Sequence, residues 1–360
     1  MGTIFGLFAR IFGYHVIRRS YVSSVTNTID LIPCKKSNRW IWGGLIHSVP
    51  VVLVFLMFWF VDSKLVRHDL EVWAALLLAS LWGFLGPSCI WIFERITLPK
   101  LWLDCSKKIS LDTDKRLIRK LIYQNSLDSI TFRILLIFWM AAVSFYFFKS
   151  QTFVSGFGVG NFNTIEWWVL YIGVIFFSYY SALGILFSIR ATIIVRAISK
   201  SKILPVPYDS DNSFGFSFVG DFALRTNLMF LTGWLFVPLL TMLSMDGFSR
   251  GSLGAFSLII GYFLFVTIAF VAPILLIHKR LVAIKKVLLI GASSNIQESH
   301  VKHEHNRQQA TAISFLAFRA IASDIKKMSV WPLNLDTFMR FALGNLVGVL
   351  LSAAKSAFSS

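Results

Sequence analysis

Three acidic residues, Asp209, Asp211 and Asp221, lie in the stretch PVPYDSDNSFGFSFVGDFALR from Pro205 to Arg225. Asp209, Asp211 and Ser213 have the one-three-five spacing of a calcium loop. Such a loop closes only with glycine at the sixth place and glutamate at the twelfth. Those places hold Phe214 and Gly220, which excludes an EF-hand. The three carboxylates remain a candidate ligand loop, with ion pairing to nearby Lys and Arg as the simpler use. A second cluster, His300, His303 and His305 with Glu298 and Glu304, offers donors suited to a first-row metal. A helix would bring His300 and His303 together and turn His305 away. A solvated linker over 295–305 is therefore the stronger reading, and no metal or cofactor is expected. A third group, Asp336, Arg340 and Asn345, lies in the last apolar segment. Asp336 sits one turn before Arg340 and can pair with it. An ionisable residue in a span is a site candidate, so this trio forms a candidate polar path at the cytoplasmic mouth. The competing use is an Arg340 that snorkels to headgroups.

An enzyme needs acids, histidines or a nucleophile that converge on one point. The polar residues inside apolar blocks are His47, Ser80, Ser178, Tyr179, Tyr180, Ser181, Asn227 and Thr232, and their spacing pairs none of them. No catalytic residue is assigned, and the chain is not expected to be an enzyme. An ion-coupled transporter usually carries carboxylates deep in its spans. The spans below have none at their centres.

The elements that must position these residues follow from composition. At 56% hydrophobic and 16% aromatic over 360 residues, the chain has more apolar surface than one soluble core can use. Crossing the hydrocarbon layer takes about 20 apolar residues. Six blocks qualify: Trp40–Val61, Glu71–Phe93, Phe132–Phe148, Ile165–Ile189, Thr226–Met245 and Leu253–Ile277. A seventh, Phe338–Phe358, is long enough but holds Arg340, Asn345 and Lys355. The expected fold is an all-α polytopic transmembrane bundle of six spans plus a C-terminal membrane helix, with amphipathic cytoplasmic helices. Its parts are an interfacial helix and basic lead-in (1–39), hairpins at 40–93, 132–189 and 226–278, a basic helical loop (94–131), a Pro/Gly/Asp loop (190–225), a helical region (279–330) and a closing membrane helix (331–360).

The net charge of +17 could suggest nucleic acid, but its distribution argues otherwise. Of the Lys and Arg outside the last segment, 29 fall on one side of the alternating spans and four on the other. The positive-inside rule then places the N-terminus and the long loops in the cytoplasm. Anionic headgroups and membrane lipids are the expected partners, with no nucleic acid. Cys34 and Cys105 face a reducing compartment and Cys89 sits in lipid, so no disulfide is expected. Residues 1–39 lack a cleavable signal pattern. Ile4, Leu7, Phe8, Ile11 and Phe12 share a helical face, which fits a helix lying on the inner leaflet.

Pro50, Pro87, Pro238 and Pro273 fall inside the first, second, fifth and sixth spans, so those four helices are expected to face other helices or a cavity. The matching spacings allow a parallel repeat of hairpins one and three, but proline is common inside spans and the simpler reading is no repeat. The fourth and sixth spans are expected to run out of the bilayer, through Arg190 to Lys200 and through Lys279 to Lys286. From Ala310 onward Ile313, Leu316, Ala317, Ala320 and Ile321 share one face, which predicts an amphipathic helix that Pro332 ends. Arg340, Gly344, Gly348, Ser352 and Ser356 then recur four apart, the small-residue spacing that brings membrane helices close. Gly344, Gly348, Ser352 and Ser356 are the candidate packing or oligomer face.

Pro207, Asp209, Gly215 and Gly220 resemble a degenerate His-Pro-Asp-Gly, Gly-Gly-Leu loop that precedes a span in uncharacterised bacterial integral membrane proteins. The histidine is replaced by Tyr208, and the double glycine by Phe214-Gly215. The stretch VWPLNLDTFMRF from Val330 to Phe341 is similar to the Trp-Pro-Phe-Asp segment entering the final helix of those proteins. The resemblance implies a bacterial inner membrane and no known activity. The expected role is a non-enzymatic, homo-oligomeric membrane assembly, a pore or membrane effector. The alternative is a scaffold or sensor whose basic layer binds a cytoplasmic protein partner or anionic lipid. A lipid-modifying enzyme comes third.

Overall fold

The computed structural model describes residues 29–30, 38–60, 70–123, 130–149, 164–202, 215–235, 253–306, 309–332 and 335–358. Residues 1–19, Cys34, Asp209, Asp211 and Pro238 lie outside them. The described residues are helical, with no strand. In chain order they are α1 (Arg39–Phe60), α2 (Leu70–Ile92), a π turn (Phe93–Thr97), α3 (Leu98–Ser106), α4 (Asp112–Tyr123), α5 (Ile130–Lys149), α6 (Ile165–Lys200), α7 (Ser217–Leu231) with a 3-10 turn (Thr232–Leu235), α8 (Leu253–Asn306), α9 (Gln309–Lys327) and α10 (Leu335–Phe358).

Among the described residues three stretches are long and apolar enough to cross a membrane: Leu77–Ser106, Trp167–Lys200 and Ile259–Glu298. They mark the chain as a membrane protein. The fourth and sixth apolar blocks do run on into basic sequence, as α6 to Lys200 and α8 to Asn306. At 1.5 Å per residue α8 is about 80 Å long, far beyond a bilayer's hydrocarbon core of about 30 Å.

Two expectations change. The stretch 295–305, read as a linker, belongs to α8. It contains no proline or glycine to stop the helix. The Pro/Gly/Asp loop ends earlier than expected, because α7 begins at Ser217. The break falls at Gly215, whose φ of 79° is left-handed, whereas Gly220 and Asp221 are inside the helix.

Helix α6 is the centre of the bundle. Tyr180 meets His47 of α1, Phe177 stacks on Trp82 of α2 at 5.0 Å, and Ser181 accepts from the Trp139 indole of α5 at 3.1 Å. Phe93, buried at the start of the π turn, touches Phe187 of α6 and Phe222 of α7. On the far side α7 packs against α8 and α10, where Phe270 stacks on Phe341 at 3.9 Å.

The basic side is tied together by backbone. Ser110 donates to the Lys202 carbonyl, and the Lys202 N–H donates to Asp114. Lys285 donates to the carbonyls of Lys326 and Met328, a cation on the C-terminal carbonyls of α9. His278 stacks on Trp331 at 3.9 Å and its Nδ1 lies 3.1 Å from the Val330 carbonyl, so the Trp-Pro turn is docked on α8.

Helix α1 lies on α2 through glycine. A Cβ at Gly44 would stand 2.7 Å from the Phe84 carbonyl, beside Ser88, whose hydroxyl donates to the Trp40 carbonyl. Gly44→Val should therefore cost about 1–3 kcal/mol by overpacking. Its thermal midpoint in detergent should fall, while Gly291→Ala, where a Cβ meets nothing within 4 Å, should leave the midpoint unchanged or raised.

Candidate functional site

The π turn arises next to Pro99. Leu98 donates its N–H to the Phe93 carbonyl five residues back, and Pro99 has no N–H to give the Arg95 carbonyl. The widened turn carries Glu94 inward and Arg95 outward. π turns inside helices occur often at functional sites. Here Glu94 meets Arg190 of α6, with Nη1 and Oε1 at 3.7 Å and both side chains only 4% exposed. Arg190 Nη2 also donates to the Ile122 carbonyl at 2.8 Å, at the C-terminal end of α4. One guanidinium therefore joins the π turn, α6 and α4.

Outside this pair lies a second, wetter cluster. Asp30 accepts from the Trp91 indole at 3.1 Å and from Arg95, and lies 3.8 Å from Arg39. Neighbouring residues Glu94 and Arg95 thus serve opposite surfaces of the same turn. Deeper in the bundle the Tyr180 hydroxyl and His47 Nδ1 share a hydrogen bond of 2.6 Å, their rings edge-on. His47 Nε2, Ser178 Oγ, Thr267 Oγ1 and both amide atoms of Asn227 are buried with no hydrogen-bond partner among the described residues.

The expected site residues are dispersed. Asn345 is 2% exposed, accepts from the Trp234 indole at 3.3 Å and donates to the Phe341 carbonyl at 3.0 Å, so its amide serves packing. Arg340 is exposed, and Asp336 lies on α10 with its side chain outside the described set. A Cβ on Gly344 would stand 2.7 Å from Leu231, and one on Gly348 would enter the Trp234 ring. These two glycines are occupied by α7 of the same chain, while the side chains of Ser352 and Ser356 lie outside the described set. Asp221 is exposed on α7. His300 is exposed on α8 with its ring 5.7 Å from Phe315, and the side chains of His303 and His305 are not among those described. Among the described residues no three metal-ligating side chains come together.

Glu94 and Arg190 escape a reading by apolar blocks because each falls one residue beyond its block. The available signal was Glu94 itself, a carboxylate directly after an apolar run in a strongly basic loop. His47 and Tyr180 were visible as polar residues, but a pairing across 133 positions has no local signature.

The chain matches no family model, no curated protein and no solved structure.

Taking two ions out of water costs several kcal/mol each, and removing one partner leaves the other charge uncompensated. Glu94→Gln and Arg190→Met should each destabilise the protein by about 3–5 kcal/mol. The double variant should cost less than the two single costs together by at least about 1 kcal/mol, since the residues are in contact. Unfolding midpoints of all four proteins in detergent check this, and strictly additive costs would show that the pair is not energetically coupled.

Proposed function

We propose that the chain is a non-enzymatic multi-pass membrane protein that works as a pore or membrane effector, its helix bundle controlled from a basic cytoplasmic layer. The observation that carries this reading is the buried Glu94–Arg190 pair, which couples two membrane-length helices to α4 at the basic end of the bundle. A buried charge pair has two distinct arrangements, joined or parted, and so can serve as a bistable element.

We read six spans and a seventh membrane helix. All six expected blocks begin within helices. Helix α10 has a packed stripe of Phe341, Asn345 and Gly348. Its opposite stripe of Met339, Leu343, Leu346, Val347 and Leu350 is exposed and apolar, as lipid contact requires. The positive-inside distribution of Lys and Arg supports a cytoplasmic N-terminus. The second reading, a scaffold or sensor on anionic lipid, is favoured by the exposed Arg116, Arg119 and Lys120 of α4 beside exposed Leu117.

Ion flux into vesicles containing the purified protein tests the pore. Wild type should exceed protein-free vesicles, and Glu94→Gln should change the flux at least about tenfold, the effect of 1.4 kcal/mol on a gating equilibrium. Flux no greater than in protein-free vesicles, for wild type and variant alike, overturns the pore.

A further inference from the structure

Helix α9 has two apolar faces. Phe315, Phe318, Ile321, Ala322 and Ile325 form one, turned toward α8, with Ile325, and Met328 just past the helix end, buried in the shared core. The rest of the face expected from the sequence, Ile321 apart, is the other one. Ile313 and Leu316 are 67% and 61% exposed, and Ala320 and Ser323 are exposed beside them. This face lies past the charged collar Lys279–Lys286, so hydrocarbon does not account for it.

We propose that this outer face of α9 is a parallel helix–helix interface with a second copy of the same chain. Residues 313, 316, 320 and 323 alternate by three and four, the a/d seam of a coiled coil, and a β-branched residue at a with Leu at d favours two parallel strands. Ala320 and Ser323 let the backbones close toward the collar. The edges are charged in a complementary way. With Ile313 at a, Arg319 is a g position and Asp324 an e position, and in a parallel pair g meets the e position five residues on in the other strand. Arg319 of each copy therefore faces Asp324 of the other, twice by symmetry. Among the described residues neither makes an ion pair within its own chain.

The membrane enforces the geometry. Two copies in one bilayer share an orientation, so their α9 helices meet parallel and in register, as a twofold axis along the membrane normal requires. The α8-facing residues lie opposite the seam, so pairing leaves the α8–α9 hairpin intact. A seam of under two heptads is too short to hold free peptides. Anchoring by the membrane helices supplies the effective concentration. The competing surfaces are weaker: the outer stripe of α8 (Val287, Ile290, Ser294, Gln297, Val301) is interrupted by two polar residues, and the glycines of α10 are filled by Leu231 and Trp234.

The inference rests on the reading of the chain as a membrane protein anchored in one orientation, and it gives that reading an assembly face. The test is the mass of the full-length protein in lipid nanodiscs. Wild type should have the mass of two 40.8 kDa chains, and Leu316→Asp the mass of one with an unchanged melting midpoint. Arg319→Asp should weaken pairing at least tenfold, and adding Asp324→Arg should restore it. A single-chain wild type, or a Leu316→Asp protein that stays paired, overturns the interface. Flux on the same samples separates the two ideas: pairing without flux overturns the pore and keeps the interface, whereas flux with a single-chain mass does the reverse.

Discussion

A carboxylate and a guanidinium that meet out of reach of water cannot separate without each facing an uncompensated charge. That constraint ties together the π turn, α6 and α4, because Glu94 sits in the π turn, Arg190 on α6, and the same guanidinium holds the Ile122 carbonyl in the last turn of α4. Within the π turn Glu94 faces inward while Arg95 stays outside with Asp30. A regular helix has no such widened step, and the missing N–H of Pro99 makes it cheaper to form at this place than elsewhere in α2. Phe93, one residue earlier, fills the space between α6 and α7, so the apolar and charged contacts of the junction come from adjacent positions.

The other half of the bundle is held by close approach. Gly344 and Gly348 let α10 lie against Leu231 and Trp234, and the indole N–H that this burial would strand finds Asn345. Shape and polar satisfaction are therefore met within one turn of α10, between Gly344 and Gly348. This changes what the four-residue repeat says about assembly. Small-residue spacing predicts that a membrane helix is approached closely, and does not say by which chain.

The same distinction explains what could be read from the sequence. Apolar block length located α1, α2, α5, α6 and α8 and predicted that α6 and α8 would run on into basic sequence. It placed Glu94 and Arg190 just outside their apolar spans, though it ran the fourth helix on through Arg190, because hydropathy treats a charge as the end of a span even when its partner lies in the interior. Helical periodicity identified α9 as amphipathic through one face of Ile313, Leu316, Ala317, Ala320 and Ile321, without saying what that face meets. Of that face Ile321 packs toward the core beside Ala322 and Ile325, whereas Ile313 and Leu316 are exposed and Phe315 and Phe318 are half-buried. With apolar residues on two faces, periodicity can rank neither without knowing the neighbour. The pairings of His47 with Tyr180 and Trp234 with Asn345 join positions 133 and 111 residues apart, beyond any local pattern.

How a displacement at α9 could reach the buried ion pair is a matter of stiffness and contact. Helix α8 runs unbroken from the apolar span to the hairpin, and Lys285 and His278 clamp the end of α9 and the Trp-Pro turn to it. From α8 the contacts run through Phe270 to Phe341 on α10, and through Phe265 to Phe230 on α7. Helix α7 then touches the π turn through Phe222 and Phe93, beside Glu94. Each step is a packed aromatic contact, which transmits a shift because close-packed interiors deform little. Packing alone supplies no switch; coupling needs an element with two arrangements that both ends can bias. Along this route the ion pair is the element best suited to that role. Parting it costs several kcal/mol, so the joined state dominates until an opposing load of similar size acts at the basic end.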